Sequence, residues 1–127
     1  MPEYLEIVKA ILRAGSKERA KSAMEIALDE NMQRKTYYLE LIKIISSAKG
    51  DSQASNAKTV AYDEGVMQRE EYLEIVRLIA SAPDTTASQN ALDIALNPKL
   101  QKKRKYMRMI EDAVSLEETE SKFKFRK

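Results

Sequence analysis

The sequence predicts an all-α fold of about seven helices, set out as three 34-residue helix–turn–helix repeats plus a closing helix in a short α-solenoid or repeat bundle. Three observations carry that expectation. Tyr4, Tyr38, Tyr72 and Tyr106 stand 34 residues apart, and each opens one phrase: Tyr-Leu-Glu-Ile-Val-Lys, Tyr-Leu-Glu-Leu-Ile-Lys, Tyr-Leu-Glu-Ile-Val-Arg and Tyr-Met-Arg-Met-Ile-Glu. A second phrase keeps the same period, with Ala23, Ile26, Ala27 and Asp29, then Ala57, Val60, Ala61 and Asp63, then Ala91, Ile94, Ala95 and Asn97. Breakers follow both phrases: Gly15-Ser16, Lys49 to Ser52 and Pro83 to Thr86 after the first, and Asn31, Gly65 and Asn97-Pro98 after the second.

The first phrase is helical because its apolar residues fall at i, i+3, i+4 and i+7, as in Tyr72, Ile75, Val76 and Ile79, or Tyr38, Leu41, Ile42 and Ile45. The second phrase spaces alanines by four, and side chains that small let helices approach closely. Large residues on one helix are therefore expected to face small ones on the next. Ser16 and Ser52 are expected to cap second-type helices, with capping boxes at Thr86/Gln89 and Ser115/Glu118. The resulting helices span roughly 2–14, 16–30, 32–48, 52–64, 66–82, 86–97 and 98–115. A lone hairpin cannot bury its apolar face, so neighbours should stack. Residues 1–115 form the helical-repeat domain, and 116–127 form a charged C-terminal tail.

At 127 residues the chain fits one domain. It contains no cysteine and no histidine, which removes disulfides, thiolate chemistry, the usual general base near neutral pH and the commonest metal ligand. No catalytic constellation, phosphate-cradling glycine loop or calcium-loop spacing stands out, so neither enzyme activity, nor a metal, nor a small-molecule cofactor is expected. The N-terminus shows no basic-then-apolar leader, and no run of about 18 apolar residues occurs. No membrane contact is expected, and a cytoplasmic setting is.

Net charge is only +2, yet its distribution is uneven: residues 1–102 hold 14 basic and 15 acidic side chains, and 103–127 hold eight and five. Candidate binding residues follow from position. Lys35, Arg69 and Lys103 precede the repeat tyrosines on the 34-residue period, with Arg34 and Lys102 beside two of them. Arg104, Lys105 and Arg108 extend the last cluster, and Lys122, Lys124 and Arg126 alternate with aromatic residues in the tail. Such cations suit an acidic protein partner or a phosphate backbone. The pairs Glu6/Lys9, Glu40/Lys43 and Glu74/Arg77 are expected to bond locally at i, i+3, contributing about 0.2–0.5 kcal/mol each. The repeat tyrosines are expected in the core with hydroxyls at its edge, Tyr37 and Tyr62 nearer solvent, and Met24, Met67 and Met109 in packing positions.

A 34-residue helix–turn–helix period resembles the tetratricopeptide and pentatricopeptide repeat families over roughly residues 2–115. In the first copy Tyr4, Ile7, Val8, Ile11, Gly15 and Ala20 stand at pentatricopeptide spacing; later copies keep Ala54 but carry Lys49 and Pro83 in place of Gly15. The pentatricopeptide resemblance would imply single-stranded RNA read one base per repeat, by a small polar residue two places after the tyrosine. Here that place holds Glu6, Glu40 and Glu74, which repel phosphate. The tetratricopeptide resemblance would imply protein binding in a groove, without that family's bulky aromatic and mid-helix glycine pattern. What carries over is the architecture. The sequence therefore points to a protein-binding adaptor, scaffold or regulatory module, with nucleic-acid binding through residues 102–108 and the tail as the alternative.

Overall fold

Apolar stripes at helical spacing fold into helices, and the computed structural model describes residues 2–115 of the chain, backbone only for the first two of these. The tail at 116–127, with Lys122, Lys124 and Arg126, and the partner Glu118 of the Ser115 box lie outside the described residues. The fold is all-α, and no strand occurs among the described residues. In chain order the elements are α1 (Pro2–Leu12), α2 (Lys17–Ala27), α3 (Glu30–Gln33), α4 (Tyr38–Ser46), α5 (Asp51–Ala61), α6 (Glu64–Met67), α7 (Tyr72–Ala80), α8 (Thr85–Leu96), α9 (Pro98–Gln101) and α10 (Tyr106–Ser115).

Among the described residues ten helices stand where seven were expected, because each of the segments 32–48, 66–82 and 98–115 is split. Each of the single turns α3, α6 and α9 opens on an acidic or amide cap. Asp29 Oδ1 accepts from the N–H groups of Asn31 (2.8 Å) and Met32 (3.1 Å), Asp63 Oδ2 from Val66 (3.0 Å), and Asn97 Oδ1 from Lys99 (2.9 Å) and Leu100 (3.2 Å). Each cap starts a single turn, and the chain then re-enters a longer helix at the tyrosine.

The second-type helices begin at Ser16, Gly50 and Asp84, all three with extended backbone. Ser16 Oγ accepts from Arg19 N–H (3.1 Å) and Asp84 Oδ1 from Ala87 N–H (2.8 Å), whereas Gly50 has no side chain to offer. The caps expected at Ser52 and Thr86 therefore fall two residues too late. Ser52 Oγ instead contacts Thr85 Oγ1 at 2.8 Å, bridging α5 to α8.

Packing follows the large-against-small rule. The helix α2 lies on α4, α5 on α7 and α8 on α10, while α1, α4, α7 and α10 form one row and α2, α5 and α8 a second. Leu41, Ile42, Ile45, Ile75, Val76, Ile79 and Ile110 are fully buried, as are Ala23, Ala57, Ala61, Ala91 and Ala95 opposite them. Burying each of the larger side chains contributes about 1.5–3 kcal/mol. Tyr38, Tyr72 and Tyr106 are core residues whose hydroxyls donate to the carbonyls of Ala27 (2.5 Å), Ala61 (2.7 Å) and Ala95 (2.7 Å), each 11 residues upstream. Tyr37 is half-buried against Tyr72, ring centroids 4.6 Å apart. Of the methionines expected to pack, Met67 and Met109 are half-buried but Met24 is exposed.

Candidate functional site

The turns before α4, α7 and α10 are built alike, and they set the periodic cations. Lys35 N–H donates to Met32 O (3.0 Å) and Tyr38 N–H to Lys35 O (3.2 Å). Arg69 and Tyr72 repeat this at 3.0 and 3.2 Å, and Lys103 and Tyr106 at 2.9 and 3.2 Å. The side chains then diverge. Arg34, Lys35 and the whole run Lys102, Lys103, Arg104 and Lys105 are exposed, and so is Arg108 on α10.

Arg69 is instead half-buried and turned along the stack. Its Nη1 donates to Gln101 O at 3.0 Å, its guanidinium lies 4.3 Å from the centre of the Tyr106 ring, and its Nε sits 3.3 Å from Glu71 Oε1 without hydrogen-bond alignment. This cation ties two successive turns together. The exposed basic edge is therefore two clusters, separated by Arg69 and its neighbours Glu70 and Glu71.

On the first-type row, the charges make a ladder between helices. Glu6 pairs with Lys43 (3.6 Å) and Glu40 with Arg77 (3.1 Å), each 37 residues on, while only Glu74 with Arg77 (3.3 Å) forms the expected local pair. Stacked neighbours bring a carboxylate closer to the next helix's cation than to its own. These pairs are half-exposed, so each is worth about 0–1 kcal/mol and is screened by salt. They line shallow grooves of about 300 Å³ between α1 and α4 and about 210 Å³ between α4 and α7.

Titratable groups are tied to structure. Burial pushes the Tyr72 hydroxyl well above its ordinary range and that of Tyr106 up to about 12, Arg69 pulling the latter partly back. Burial, then a hydrogen bond to Asp29, raises Tyr62 to about 12, and the Met32 N–H holds the Asp29 carboxyl below its usual value. Among the described residues, no group of three or more carboxylates converges as a metal site. No helix among them is long and apolar enough to cross a membrane.

The feature that reading the sequence missed is an apolar end face. Among the described residues the exposed large hydrophobic side chains are Tyr4, Leu5, Leu12, Met24, Leu28 and Tyr62. Tyr4 is 65% exposed, against 7%, 3% and 0% for Tyr38, Tyr72 and Tyr106. Leu12 is 77% exposed, against 5% and 2% for Ser46 and Ala80 at the same position.

Matching positions show which way these residues face. Tyr38 reaches back to α2; Ser46 lines the groove toward α1; Lys58, at the Met24 position, pairs back to Glu25; and Tyr62, at the Leu28 position, bonds back to Asp29. Tyr4, Leu12, Met24 and Leu28 therefore all point out of the α1 end of the stack. The period itself was the available signal, since no described residue stands upstream to do for Tyr4 what Ala27 does for Tyr38. Comparison with known proteins finds no matching family model, no similar curated protein and no similar solved structure.

Proposed function

We propose that this chain is a non-enzymatic protein-binding module: a short α-solenoid of three 34-residue helix–turn–helix repeats closed by α10, which receives its partner on the end face formed by α1 and α2. In support of the repeat, α2, α5 and α8 begin at Lys17, Asp51 and Thr85, and α4, α7 and α10 begin at Tyr38, Tyr72 and Tyr106, each 34 residues apart. One observation carries the function: five of the six exposed large hydrophobic side chains among the described residues lie on α1, on α2 or, as Leu28, at the C-cap of α2. A stack of repeats normally ends in a polar outer surface, and a contiguous apolar patch on a folded chain marks an interaction site.

The test compares immobilised full-length protein with the double variant Leu5→Lys/Leu12→Lys, probing host extract with and without nuclease. Proteins held by the wild type through high salt, resistant to nuclease and lost from the variant, are expected. Identical retention by both forms rejects the end face as the binding site.

A second reading, nucleic-acid binding through Lys102 to Arg108, is favoured by the exposure of four consecutive cations in the α9–α10 turn. It requires a steep fall in affinity with salt in a gel-shift titration, weakened when Lys102 to Lys105 become glutamine. Salt-insensitive or absent binding dismisses it.

A further inference from the structure

We infer that the occupant of the α1 end face is a single amphipathic helix from another protein, presenting alanine-sized residues four apart and offering a last-turn carbonyl to the Tyr4 hydroxyl. This rests on the protein-binding reading above and names its partner's chemistry.

The same face occurs three more times inside the molecule, each time already covered. On α4, α7 and α10 the tyrosine and the aliphatic residues after it are sealed by α2, α5 and α8, whose Ala23/Ala27, Ala57/Ala61 and Ala91/Ala95 pairs are small enough to admit them. In every case the tyrosine O–H donates to the carbonyl of the last of those alanines, at 2.5, 2.7 and 2.7 Å. The helix α1 repeats the receiving half with Tyr4, Ile7, Val8 and Ile11. Ile7, Val8 and Ile11 are only half-buried, where Leu41, Ile42 and Ile45 on α4 are fully buried.

One helix suffices. The helix α2 contacts both α4 and α5, so a helix in the corresponding place covers α1 together with Met24 and Leu28 on the α2 side. Its charge is specified too. Inside the stack Lys58 of α5 meets Glu25 of α2, but the end face carries Met24 at the lysine's position, so the incoming helix should be uncharged where α2 has Glu25.

No second-type helix among the described residues is free to furnish this helix. Each is sealed already, α8 by α10, so a second copy offers no free alanine face. Residues 116–127 contain no alanine. The occupant is recognised by an Ala-x-x-x-Ala stripe, an apolar or uncharged flank and a free carbonyl end.

A synthetic peptide spanning residues 50–67 tests this, because it carries Ala57 and Ala61 and has Thr59 where α2 has Glu25. Titrated into the full-length isotope-labelled protein, it should shift the amide resonances of α1 and of Leu28, with a dissociation constant between about 10 μM and 1 mM. Tyr4→Phe should weaken binding about twofold to tenfold through the lost hydrogen bond, leaving the fold's spectrum unchanged. A peptide with Ala57→Leu and Ala61→Leu should bind at least about tenfold more weakly, because the enlarged face cannot seat.

Shifts confined to other surfaces, no binding, or equal binding by the leucine peptide overturn the inference. If Leu5→Lys/Leu12→Lys still abolishes partner capture in that event, the protein-binding reading stands and only the partner's chemistry is wrong. If the double variant also captures normally, both fall.

Discussion

Three hydroxyls hold the seam between the helix rows, each donating to a carbonyl at a helix end; Gln33 and Gln101 Nε2 also donate to those of Ala27 (3.0 Å) and Ala95 (2.8 Å). Tyr72→Phe keeps the ring's packing but strands the buried Ala61 carbonyl, which should cost about 1–3 kcal/mol in urea unfolding. Tyr4→Phe, at a 65% exposed position, should stay within about 0.5 kcal/mol. An equal loss at both sites would show that the hydroxyl bond is not what distinguishes the interior copies. The same burial makes stability depend on alkali. Tyr106 keeps its proton up to about 12 when folded, whereas the unfolded chain releases it from about 10, and Tyr72 shifts in the same direction. Over that window the unfolded state binds fewer protons, so the free energy of unfolding should fall as pH rises from 10 to 12. Thermal midpoints against pH should show the decline, and Tyr106→Phe should flatten it. At the acid end the sign is opposite. Asp29 is held below the ordinary carboxylate value of 3.8 by the Met32 N–H, so its contribution is present above that value and disappears as pH drops through the lowered one. Asp29→Asn should remove that part of the acid slope.

Each second-type helix starts in the same extended geometry, but its cap differs: a hydroxyl at Ser16, nothing at Gly50, a carboxylate at Asp84. Asp84→Ala should therefore cost about 0.5–2 kcal/mol, measured by denaturant midpoint. Thr86→Ala should cost less than half as much if the cap truly lies at 84; the reverse order would restore the cap expected from the Thr86/Gln89 pattern. That misplacement shows where the sequence was legible. The all-helical class and the apolar faces could be read from Tyr72, Ile75, Val76 and Ile79 because burial imposes the helical period directly on side-chain type. Caps are weaker signals, since several polar residues near a helix start satisfy the same preference, and Gly50 carries no side-chain signal at all. Carrying Ser16 forward by the 34-residue period would have located both later caps. The one-turn helices were hidden for a related reason: Asp29, Asp63 and Asn97 were visible as periodic residues, but a cap opening a single turn looks like the end of a longer helix. The charged pairs misled because i, i+3 spacing is visible in a sequence, whereas the stacking that joins Glu40 to Arg77 is not.

Local stability should follow how many faces of a helix are covered by its packed neighbours. The helix α4 buries Tyr38, Leu41, Ile42, Ile44, Ile45 and Ser46, and α7 buries Tyr72, Ile75, Val76, Ile79 and Ala80. None of Tyr4 to Leu12 on α1 is fully buried, although its apolar sequence is nearly the same. The difference arises from position in the stack and not from helix propensity. At about 1.5–3 kcal/mol for full burial of one large side chain, half-burial of Ile7, Val8 and Ile11 together with exposure of Tyr4 removes about 3–6 kcal/mol from α1 relative to α7. Amide hydrogen exchange should therefore be roughly 10²- to 10⁴-fold faster in α1 than in α7. A helix bound on the end face adds the missing cover and stabilises the bound form by mass action, so saturating partner should slow exchange in α1 while leaving α7 nearly unchanged. Equal protection of α1 and α7 in the free protein would mean that α1 is already covered on both sides. The apolar residues at this end would then have to be explained without a partner.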